Sequence, residues 1–232
     1  MGLFGITITG ADDATDPRDL VRLSEEFPFV EWGVLYSRKK AGSARYPTHE
    51  WLARFGRQKR PKASLHLCGT AADDALYGKS EPVALAESHY FDRVQINGWV
   101  PTASLATAGW TRKCRPILQA RDVGAVREAC VHARAIDSYA GVPGAVLYDP
   151  SGGTGARLTE LPEPVLNVKI GYAGGIGPEN IGDVLHALEG RNYPYWLDME
   201  SRVRTDERLD LTKVRQVLAQ AAEHLEVMWR VR

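Results

Sequence analysis

An aspartate and a glycine-rich loop stand together in the middle of the chain. The apolar run from Ala145 to Tyr148 is followed by Asp149 and then by the loop 151–155, S-G-G-T-G. A short apolar run of this kind is typical of a buried parallel strand, and the residues after such a strand often carry function. The pattern predicts a carboxylate presented at a glycine-lined opening.

A second glycine-rich loop follows the next apolar run. Residues 168–173 are followed by Gly174-Gly175, and an amphipathic segment then begins with Pro178-Glu179-Asn180. Backbone N–H groups in the first turn of a helix have no partner within the helix, and glycines allow a ligand to approach them. Each loop by itself also fits a tight turn, but two such loops after consecutive strands favour a phosphate or carboxylate site.

The composition is that of a water-soluble protein. In 232 residues, Lys plus Arg and Asp plus Glu both number 29, so the net charge is zero and no nucleic-acid partner is expected. The three cysteines, Cys68, Cys114 and Cys130, show no C-x-x-C spacing, which favours reduced thiols in the cytoplasm. No apolar run approaches about 18 residues, so we expect no membrane span.

The order of apolar runs and amphipathic segments predicts the fold. About eight strand-then-helix units follow one another with short connections, interrupted by a weakly helical segment after Gly98. This pattern predicts a single (β/α)8 barrel domain over 1–232. An open doubly wound sheet is the alternative, although the first strand, Leu3 to Thr9, lacks the G-x-G-x-x-G fingerprint of that fold.

In a (β/α)8 barrel the carboxyl ends of the strands carry the functional side chains. The residues predicted at strand ends or in the loops that follow are Thr9, Asp12, Asp13, Ser37, Arg45, His66, Cys68, Asn97, Gln119, Arg121, Asp149, Gly152, Gly174, Gly175, Asp198, Glu200 and Arg202. The remaining histidines, His49, His89, His132, His186 and His224, lack metal-ligand spacing. We therefore predict no metal site.

Several segments also occur in the order of one enzyme family. Leu147-Tyr148-Asp149 with 152–155 is similar to the family's L-L-D and G-G-T-G motifs, and 173–180 matches A-G-G-x-x-P-E-N. Residues 94–98, V-Q-I-N-G, are similar to V-Q-L-H-G, and 198–201 stand where the family has D-x-S-S-G. By these motifs the chain resembles the phosphoribosylanthranilate isomerases, the (β/α)8 enzymes of tryptophan biosynthesis.

Two more segments extend the resemblance towards the amino terminus. Residues 33–36 followed by Ala44-Arg45-Tyr46 look like the second strand and arginine loop of the family, and Ile8-Thr9-Gly10 stands where it has I-C-G. The resemblance implies an Amadori rearrangement of a small phosphorylated ribosylamine, without a cofactor. One group opens the sugar ring by protonating its oxygen, and another removes the proton from the neighbouring carbon.

The resemblance assigns the acid role to Asp149 and places Thr9 where the family has its basic cysteine. A threonine hydroxyl is far too weak an acid to replace a thiolate directly. Cys68 is the only cysteine predicted at the catalytic face, and a small buried apolar residue is the alternative interpretation. His66 is a candidate proton shuttle near neutral pH, although a structural hydrogen bond is the more common use of such a histidine.

The binding residues implied by the resemblance surround the same opening. Arg45 matches the arginine that faces the substrate carboxylate, or it is one more solvated charge of the basic run 38–40. The other candidates are Asn97, Gly153, Gly174, Gly175, Asp198, Ser201 and Arg202. In the eighth loop Arg202 is suited to bind an anion, whereas Glu200 is suited to repel one.

Two functions therefore remain open from the sequence. One is acid–base isomerisation of a small phosphorylated sugar derivative, which the retained Asp149 and glycine loops favour. The other is a barrel that binds an anionic metabolite or a partner protein without this chemistry, which Thr9 favours. The sequence does not indicate an oligomeric state.

Overall fold

Eight parallel strands form a closed barrel in the computed structural model, which describes residues 2–59, 61–77, 80–88, 90–98 and 109–230. β1 pairs with both β2 and β8, which closes the ring. This closure confirms the predicted barrel and excludes the open doubly wound sheet. The strands are β1 Leu3–Thr9, β2 Val30–Tyr36, β3 Ala63–Leu67, β4 Arg93–Ile96, β5 Arg115–Ala120, β6 Ala145–Tyr148, β7 Lys169–Ala173 and β8 Tyr195–Met199.

Helices follow most of the strands and cover the outside of the barrel. In the described residues they are α1 Pro17–Glu26, α2 His49–Gly56, α3 Thr70–Leu76, α4 Ser80–Glu87, α5 Val123–Ala140, α6 Ile181–Ala187 and α7 Leu211–Arg230, with short 3-10 helices at Gly109–Arg112 and Ser201–Val203. As predicted, α1 begins after Asp16 with proline at its first position, and Thr48 caps α2. The weakly helical segment after Gly98 lies largely outside the described residues, as does His89.

β8 ends one residue beyond Asp198, which the sequence predicts at a strand end. This strand continues to Met199, so Asp198 lies within the strand and not directly after it. Its backbone pairs with Ala173 on one side and Thr7 on the other. The polar Asp198 resembles a strand end in the sequence, but pairing with both neighbouring strands keeps this segment extended.

A small hairpin after β8 was not predicted. β9 Arg204–Thr205 and β10 Arg208–Leu209 are antiparallel, and the two residues between them, Asp206 and Glu207, have φ angles of 49° and 59°. Positive φ at both central residues is the geometry of a tight hairpin turn, which favours Asn, Asp and Gly. Asp206 fits this preference but Glu207 does not, so the turn signal in the sequence is weak.

The buried guanidinium of Arg204 holds this hairpin against the first loop of the barrel. It donates to the carbonyl oxygens of Gly10 and Glu207 and lies 3.4 Å from the carboxylate of Asp12. A buried charge requires a partner of opposite sign and acceptors for its N–H groups. Arg204 therefore fixes the eighth loop next to the first.

The barrel interior is polar on one side and apolar on the other. Ile117, Leu147 and Trp196 belong to an apolar cluster from β5, β6 and β8. Towards the amino ends of β2 and β4, Glu31 and Arg93 form an ion pair in which Arg93 Nη2 and Glu31 Oε1 are 2.6 Å apart. Burial by itself raises the pKa of Glu31, but the charge of Arg93 and the hydrogen bonds from Arg93, Ser64 and Thr7 together outweigh that effect and hold the pKa below its usual range.

Candidate functional site

A cavity of about 100 Å³, here called the inner cavity, lies at the carboxyl ends of the strands. The residues lining it come from every strand of the barrel or from the loop that follows the strand. They include Thr9, Leu35, His66, Gln95, Asn97, Gln119, Arg121, Asp149, Gly153, Gly174, Gly175, Asp198, Glu200 and Ser201. The fold therefore brings most of the predicted site residues to one place.

A wider cavity of about 560 Å³, the outer cavity, adjoins the inner one. The two share Leu35, Asn97, Gly152, Gly153 and Glu200. Lys40, Arg45 and Cys68 line only the outer cavity. The lining of the inner cavity contains three carboxyl groups and one guanidinium, whereas the outer cavity has two basic side chains and one acidic one. An anionic group is therefore better matched to the outer cavity.

Asp149 is held at the mouth by four hydrogen bonds. Its Oδ1 accepts from the backbone N–H and hydroxyl of Ser151, at 3.1 and 2.7 Å, and from the N–H of Gly152 at 3.1 Å. Its Oδ2 accepts from Nε2 of Gln119 at 2.9 Å. Three bonds to Oδ1 make Asp149 the anchor of the turn after β6, so Oδ2 is the oxygen with spare acceptor capacity.

Two glutamine side chains in the lining have unused acceptors. Within the described residues, Oε1 of Gln95 and Oε1 of Gln119 have no hydrogen-bond partner. Gln95 is only 4% exposed, and its Nε2 donates to Asn97 Oδ1 at 2.8 Å. A buried acceptor without a donor costs about 1–3 kcal/mol, so both sites would gain from a donor supplied by a rearranged amide or a bound molecule.

Cys68 lies at the end of a polar chain that runs from Gln95. Asn97 Nδ2 donates to Cys68 Sγ at 3.1 Å, and the hydroxyl of Tyr46 also contacts the sulfur. Burial nevertheless raises the pKa of the Cys68 thiol. The thiol therefore stays protonated at neutral pH, and its environment does not favour a thiolate base.

Thr9 and Asp198 face each other across the pairing of β1 with β8. The hydroxyl of Thr9 donates to Asp198 Oδ1 at 3.0 Å, and both residues are buried. Burial raises the pKa of Asp198 well above its usual range; Thr9 opposes this shift, and the negative charges of Glu200, Glu31 and Asp149 add to it. Burial therefore favours the protonated form of the Asp198 carboxyl group.

His66 is almost fully buried and has a structural partner. Its Nε2 lies 2.9 Å from the hydroxyl of Ser64, two residues earlier on β3. Burial lowers the pKa of His66 to about 4, so the imidazole is neutral at pH 7. A shuttle near neutral pH needs a pKa close to 7, so this environment instead suits a hydrogen-bonded neutral ring.

Gly33 makes room for both Thr9 and His66. A Cβ at this position would lie 2.2 Å from Thr9 Oγ1 and 2.8 Å from His66 Cε1. The side chains of Thr9 and His66 therefore occupy the space that a side chain at position 33 would need, so only glycine fits there without moving them.

Arg45, in the loop after β2, pairs with Glu200, in the loop after β8. Arg45 Nη1 lies 2.8 Å from Glu200 Oε1, and its Nη2 lies 3.5 Å from the exposed Glu207 carboxylate. The backbone N–H of Arg45 donates to Asp12 Oδ2 at 2.9 Å. The side chain faces the outer cavity, as the resemblance implies, but a carboxylate of the same chain already compensates its charge.

The chain's own backbone approaches the glycines after β7 closely. A Cβ on Gly175 would lie 2.7 Å from the carbonyl oxygen of Gly155, and Leu158 N–H donates to the carbonyl of Gly174 at 3.1 Å. Asn180 accepts from Gly177 N–H at 2.8 Å, which occupies a backbone donor of the same turn. Gly174 and Gly175 still line the inner cavity. Because segment 155–158 packs closely against them, at least part of the need for glycine at these positions comes from the chain itself.

The eighth loop places its two candidate residues differently. Ser201 lines the inner cavity, and a Cβ on Gly155 would lie 2.3 Å from its hydroxyl oxygen. Arg202 is exposed, and its Cβ would be 2.5 Å from a Cβ on Gly177, outside the lining of both cavities. The structure thus brings Ser201 into the site and leaves Arg202 at its rim.

Gln95 and Tyr46 are site residues that the sequence reasoning missed. Gln95 lies on β4 two residues before Asn97, which follows the strand directly, and the alternation of an extended chain puts both side chains on one face. This two-residue spacing was enough to predict Gln95 as a site residue from the sequence. Tyr46 follows Arg45 directly, but its contact with Cys68 depends on how loop 38–46 folds across β3, which no local pattern reveals.

In the part of the chain described, no three His, Cys, Asp or Glu side chains gather as a metal site would require. Nor does any described helix combine the length and apolar character needed to cross a bilayer.

Comparisons with known proteins identify the fold. The chain is 20% identical to the phosphoribosyl anthranilate isomerase structure from Thermus thermophilus, with a TM-score of 0.64 over 96% of this chain and 99% of that one. It is 14% identical to monomers of the dimeric enzyme from Thermotoga maritima, with a TM-score of 0.63 over 96% and 100% of the two chains. The isomerase structure from Pyrococcus furiosus is also 14% identical, with a TM-score of 0.60 over 95% and 99%.

No protein-family model matches the sequence. No curated protein matches it either. The chain therefore has the barrel of the phosphoribosylanthranilate isomerase structures over nearly its whole length, and at these identities the likeness establishes the fold alone.

Proposed function

We propose that this chain catalyses the acid–base isomerisation of a small phosphorylated sugar derivative, an aldose-to-ketose conversion of the Amadori type. The observation that carries the proposal is the meeting of two buried carboxyl groups, Asp149 and Asp198, in one cavity at the catalytic end of the barrel. Such a reaction requires one group that gives a proton and one that takes a proton.

The environments of the two carboxyl groups suggest how they divide these roles. Asp198, whose pKa is raised by burial, supplies the proton. Asp149 accepts four hydrogen bonds, an arrangement suited to a carboxylate that acts as an acceptor. This division reverses the acid role that the family resemblance implies for Asp149.

The proposed step is balanced within the substrate. Protonation of the ring oxygen by Asp198 breaks the bond between that oxygen and C1, and the amine nitrogen forms a C1–N double bond. Asp149 removes the proton on C2, and the electrons of that bond form a C1–C2 double bond as the C1–N double bond becomes single. The resulting enol tautomerises to the aminoketose by losing its hydroxyl proton and gaining one at C1.

The anionic part of the substrate is assigned to the outer cavity. Lys40 and Arg45 lie there, and the backbone of Gly152 and Gly153 lines both cavities. The inner cavity, with about 100 Å³ and three carboxyl groups, suits the uncharged reacting carbons better than a phosphate. A substrate that lies across both cavities satisfies both requirements.

Proton exchange with solvent tests this proposal on several candidate substrates at once. The purified chain is incubated in D₂O with N-(5′-phosphoribosyl)anthranilate and with other phosphorylated ribosylamines, and deuterium uptake and ketose formation are followed by NMR. We expect turnover, and we expect Asp149→Asn and Asp198→Asn each to lower it about 10²–10⁴-fold.

Asp183→Asn provides a matched control, since Asp183 is an exposed carboxylate on α6. Turnover should be unchanged in this variant. If Asp149→Asn and Asp198→Asn react as fast as the unmodified chain, the acid–base assignment is wrong.

Thr9 and the Arg45–Glu200 pair favour a second candidate, a barrel that binds an anionic metabolite without isomerising it. Thr9 is bonded to Asp198, and Arg45 is neutralised by a carboxylate of its own chain. For this candidate we expect ribose 5-phosphate to raise the melting temperature while deuterium uptake is absent from every ribosylamine tested. Uptake abolished by Asp149→Asn would decide for the isomerase.

A further inference from the structure

A cavity of about 690 Å³, here called the lower cavity, lies at the amino ends of the barrel strands, opposite the site described above. Its lining contains five basic side chains, two acidic ones and four aromatic rings. Neither the family resemblance nor the proposed reaction uses these residues. The excess of positive charge beside aromatic surface raises the question of what this cavity binds.

Two of the cations in the lower cavity, Arg115 and Lys169, have neither an ionic nor a hydrogen-bonding partner for their side chains among the described residues, whereas Lys62 donates to the carbonyl oxygen of Pro28 at 2.7 Å. Arg93 is neutralised by Glu31, to which it donates from Nε at 2.8 Å and from Nη2 at 2.6 Å. By contrast, neither Arg115 nor Lys169 forms an ion pair within the part of the chain that the structure describes. Arg115 and Lys169 are therefore the groups that remain available to an incoming anion.

The positive charges of Arg93, Arg115 and Lys169 are close enough to affect one another. Arg93 and Arg115 are partners in the register of β4 and β5. Partial burial lowers the pKa of Lys169, and the positive charges of Arg115 and Arg93 lower it further. A bound anion would relieve this repulsion.

Aromatic surface lies directly beside these charges. The ammonium of Lys169 lies 5.2 Å from the centroid of the Phe4 ring, which is 41% exposed. The guanidinium carbon of Arg93 lies 4.3 Å from the centroid of the Trp196 ring, and both residues line the cavity. Exposed apolar area next to convergent polar groups is the usual composition of a small-molecule site.

We propose that the lower cavity binds a small aromatic carboxylate, with its carboxylate between Arg115 and Lys169 and its ring against Phe4. A bare inorganic anion would use the charges but leave the aromatic surface in water. A neutral aromatic molecule would cover that surface but leave the cations unpaired. This site is independent of the proposed isomerisation, because it shares no residue with the inner or outer cavity.

Calorimetric titration of the full chain tests the proposal with three probes: benzoate, its neutral isostere benzamide, and inorganic phosphate. We expect benzoate to bind at least tenfold more tightly than benzamide. Arg115→Gln and Lys169→Gln should each weaken benzoate binding severalfold, and together at least tenfold. Arg127→Gln removes an exposed cation on α5 and should leave binding unchanged.

A variant at the barrel mouth tests whether benzoate binds in the lower cavity and not at the mouth. Glu200→Gln, which alters only the inner and outer cavities, should not change the affinity for benzoate. The unfolding midpoint of each variant verifies its fold, and either single variant suffices if the double variant does not fold. No binding of millimolar benzoate, a benzoate affinity that is unchanged in both Arg115→Gln and Lys169→Gln, or displacement of bound benzoate by an equal concentration of phosphate would each overturn the proposal.

Discussion

The guanidinium of Arg45 and the carboxylate of Glu200 meet at 2.8 Å although 155 residues separate them in the chain. Arg45 belongs to the loop after β2 and Glu200 to the loop after β8; Arg45 lines the outer cavity, and Glu200 lines both cavities. Burial raises the pKa of Glu200, and the positive charge of Arg45 offsets part of that shift. Among the described residues, Arg45 is the only arginine that lines the outer cavity, and Glu200 balances its positive charge without a ligand.

Removing the Glu200 charge should therefore strengthen anion binding at the mouth. We expect Glu200→Gln to bind inorganic phosphate or ribose 5-phosphate about fivefold more tightly, which corresponds to about 1 kcal/mol for a partly exposed pair. Arg45→Gln should weaken binding by a similar factor. Calorimetric titration at fixed ionic strength measures both changes.

Glu207→Gln is the matched control for this prediction. Glu207 also faces Arg45, but at 3.5 Å and with 74% of its side chain exposed, so its removal should have a smaller effect. If Glu200→Gln binds phosphate no better than the unmodified chain, Arg45 does not hold the anion.

Asp198→Asn should stabilise the fold while it removes activity. The folded-state pKa of Asp198 is raised above its value in the unfolded chain, so its contribution is fully present at low pH and is lost as pH rises through the folded-state pKa. Asparagine keeps an oxygen for the Thr9 hydroxyl but cannot ionise. We expect the variant to gain on the order of 1–3 kcal/mol at pH 8, or several degrees in melting temperature, and much less at pH 4.

Thermal unfolding at the two pH values measures this difference directly. Asp183→Asn should shift the melting temperature little at either pH, because Asp183 is exposed. An equal gain at both pH values would mean that ionisation of Asp198 is not the cause.

His66 should make the fold less stable in mild acid. Its folded-state pKa of about 4 lies below the ordinary value of 6.5, so the unfolded chain binds a proton first as pH falls. The stability that neutral His66 contributes is complete above pH 6.5 and is lost progressively as pH falls towards 4, by up to about 3 kcal/mol. Urea unfolding between pH 7.5 and 4.5 should show a shallower pH dependence in His66→Gln.

The matched variant for the histidine test is His186→Gln, since His186 is 84% exposed. Its pH profile should follow that of the unmodified chain. A His66→Gln profile that also follows the unmodified chain would remove His66 as the source of acid sensitivity.

The glycine turn after β7 should tolerate no side chain at Gly175. Its φ is 54°, and a Cβ would lie 2.7 Å from the backbone oxygen of Gly155, which cannot rotate away. We expect Gly175→Ala to cost about 1–2 kcal/mol for the left-handed conformation and about 1–3 kcal/mol more for displacing segment 155–158. Denaturant unfolding measures the sum.

Gly190→Ala separates these two contributions. Gly190 has a φ of 75° with nothing within 4 Å of an added Cβ, so this variant should show only the conformational cost. If the two alanine variants lose the same stability, segment 155–158 does not press on the turn as the structure indicates.

Much of this protein followed from local pattern. Short apolar runs, most of them followed by residues at helical spacing, identified the eight strands, and the Asp16-Pro17 and Thr48 signals located the starts of α1 and α2. These features depend on neighbours within a few residues, because capping and periodicity are local effects. The same reasoning placed Asp149 and both glycine loops at one end of the barrel, since parallel strands share a direction.

What these residues contact was decided by closure of the ring. The bond from Thr9 to Asp198 exists because β1 pairs with β8, and Arg45 meets Glu200 because their loops become neighbours only when the barrel closes. Whether the space beside Gly175 is left open or filled by segment 155–158 likewise depends on a long loop folding back. Contacts across 20 to 190 residues are set by register and packing, which no local run of the sequence encodes.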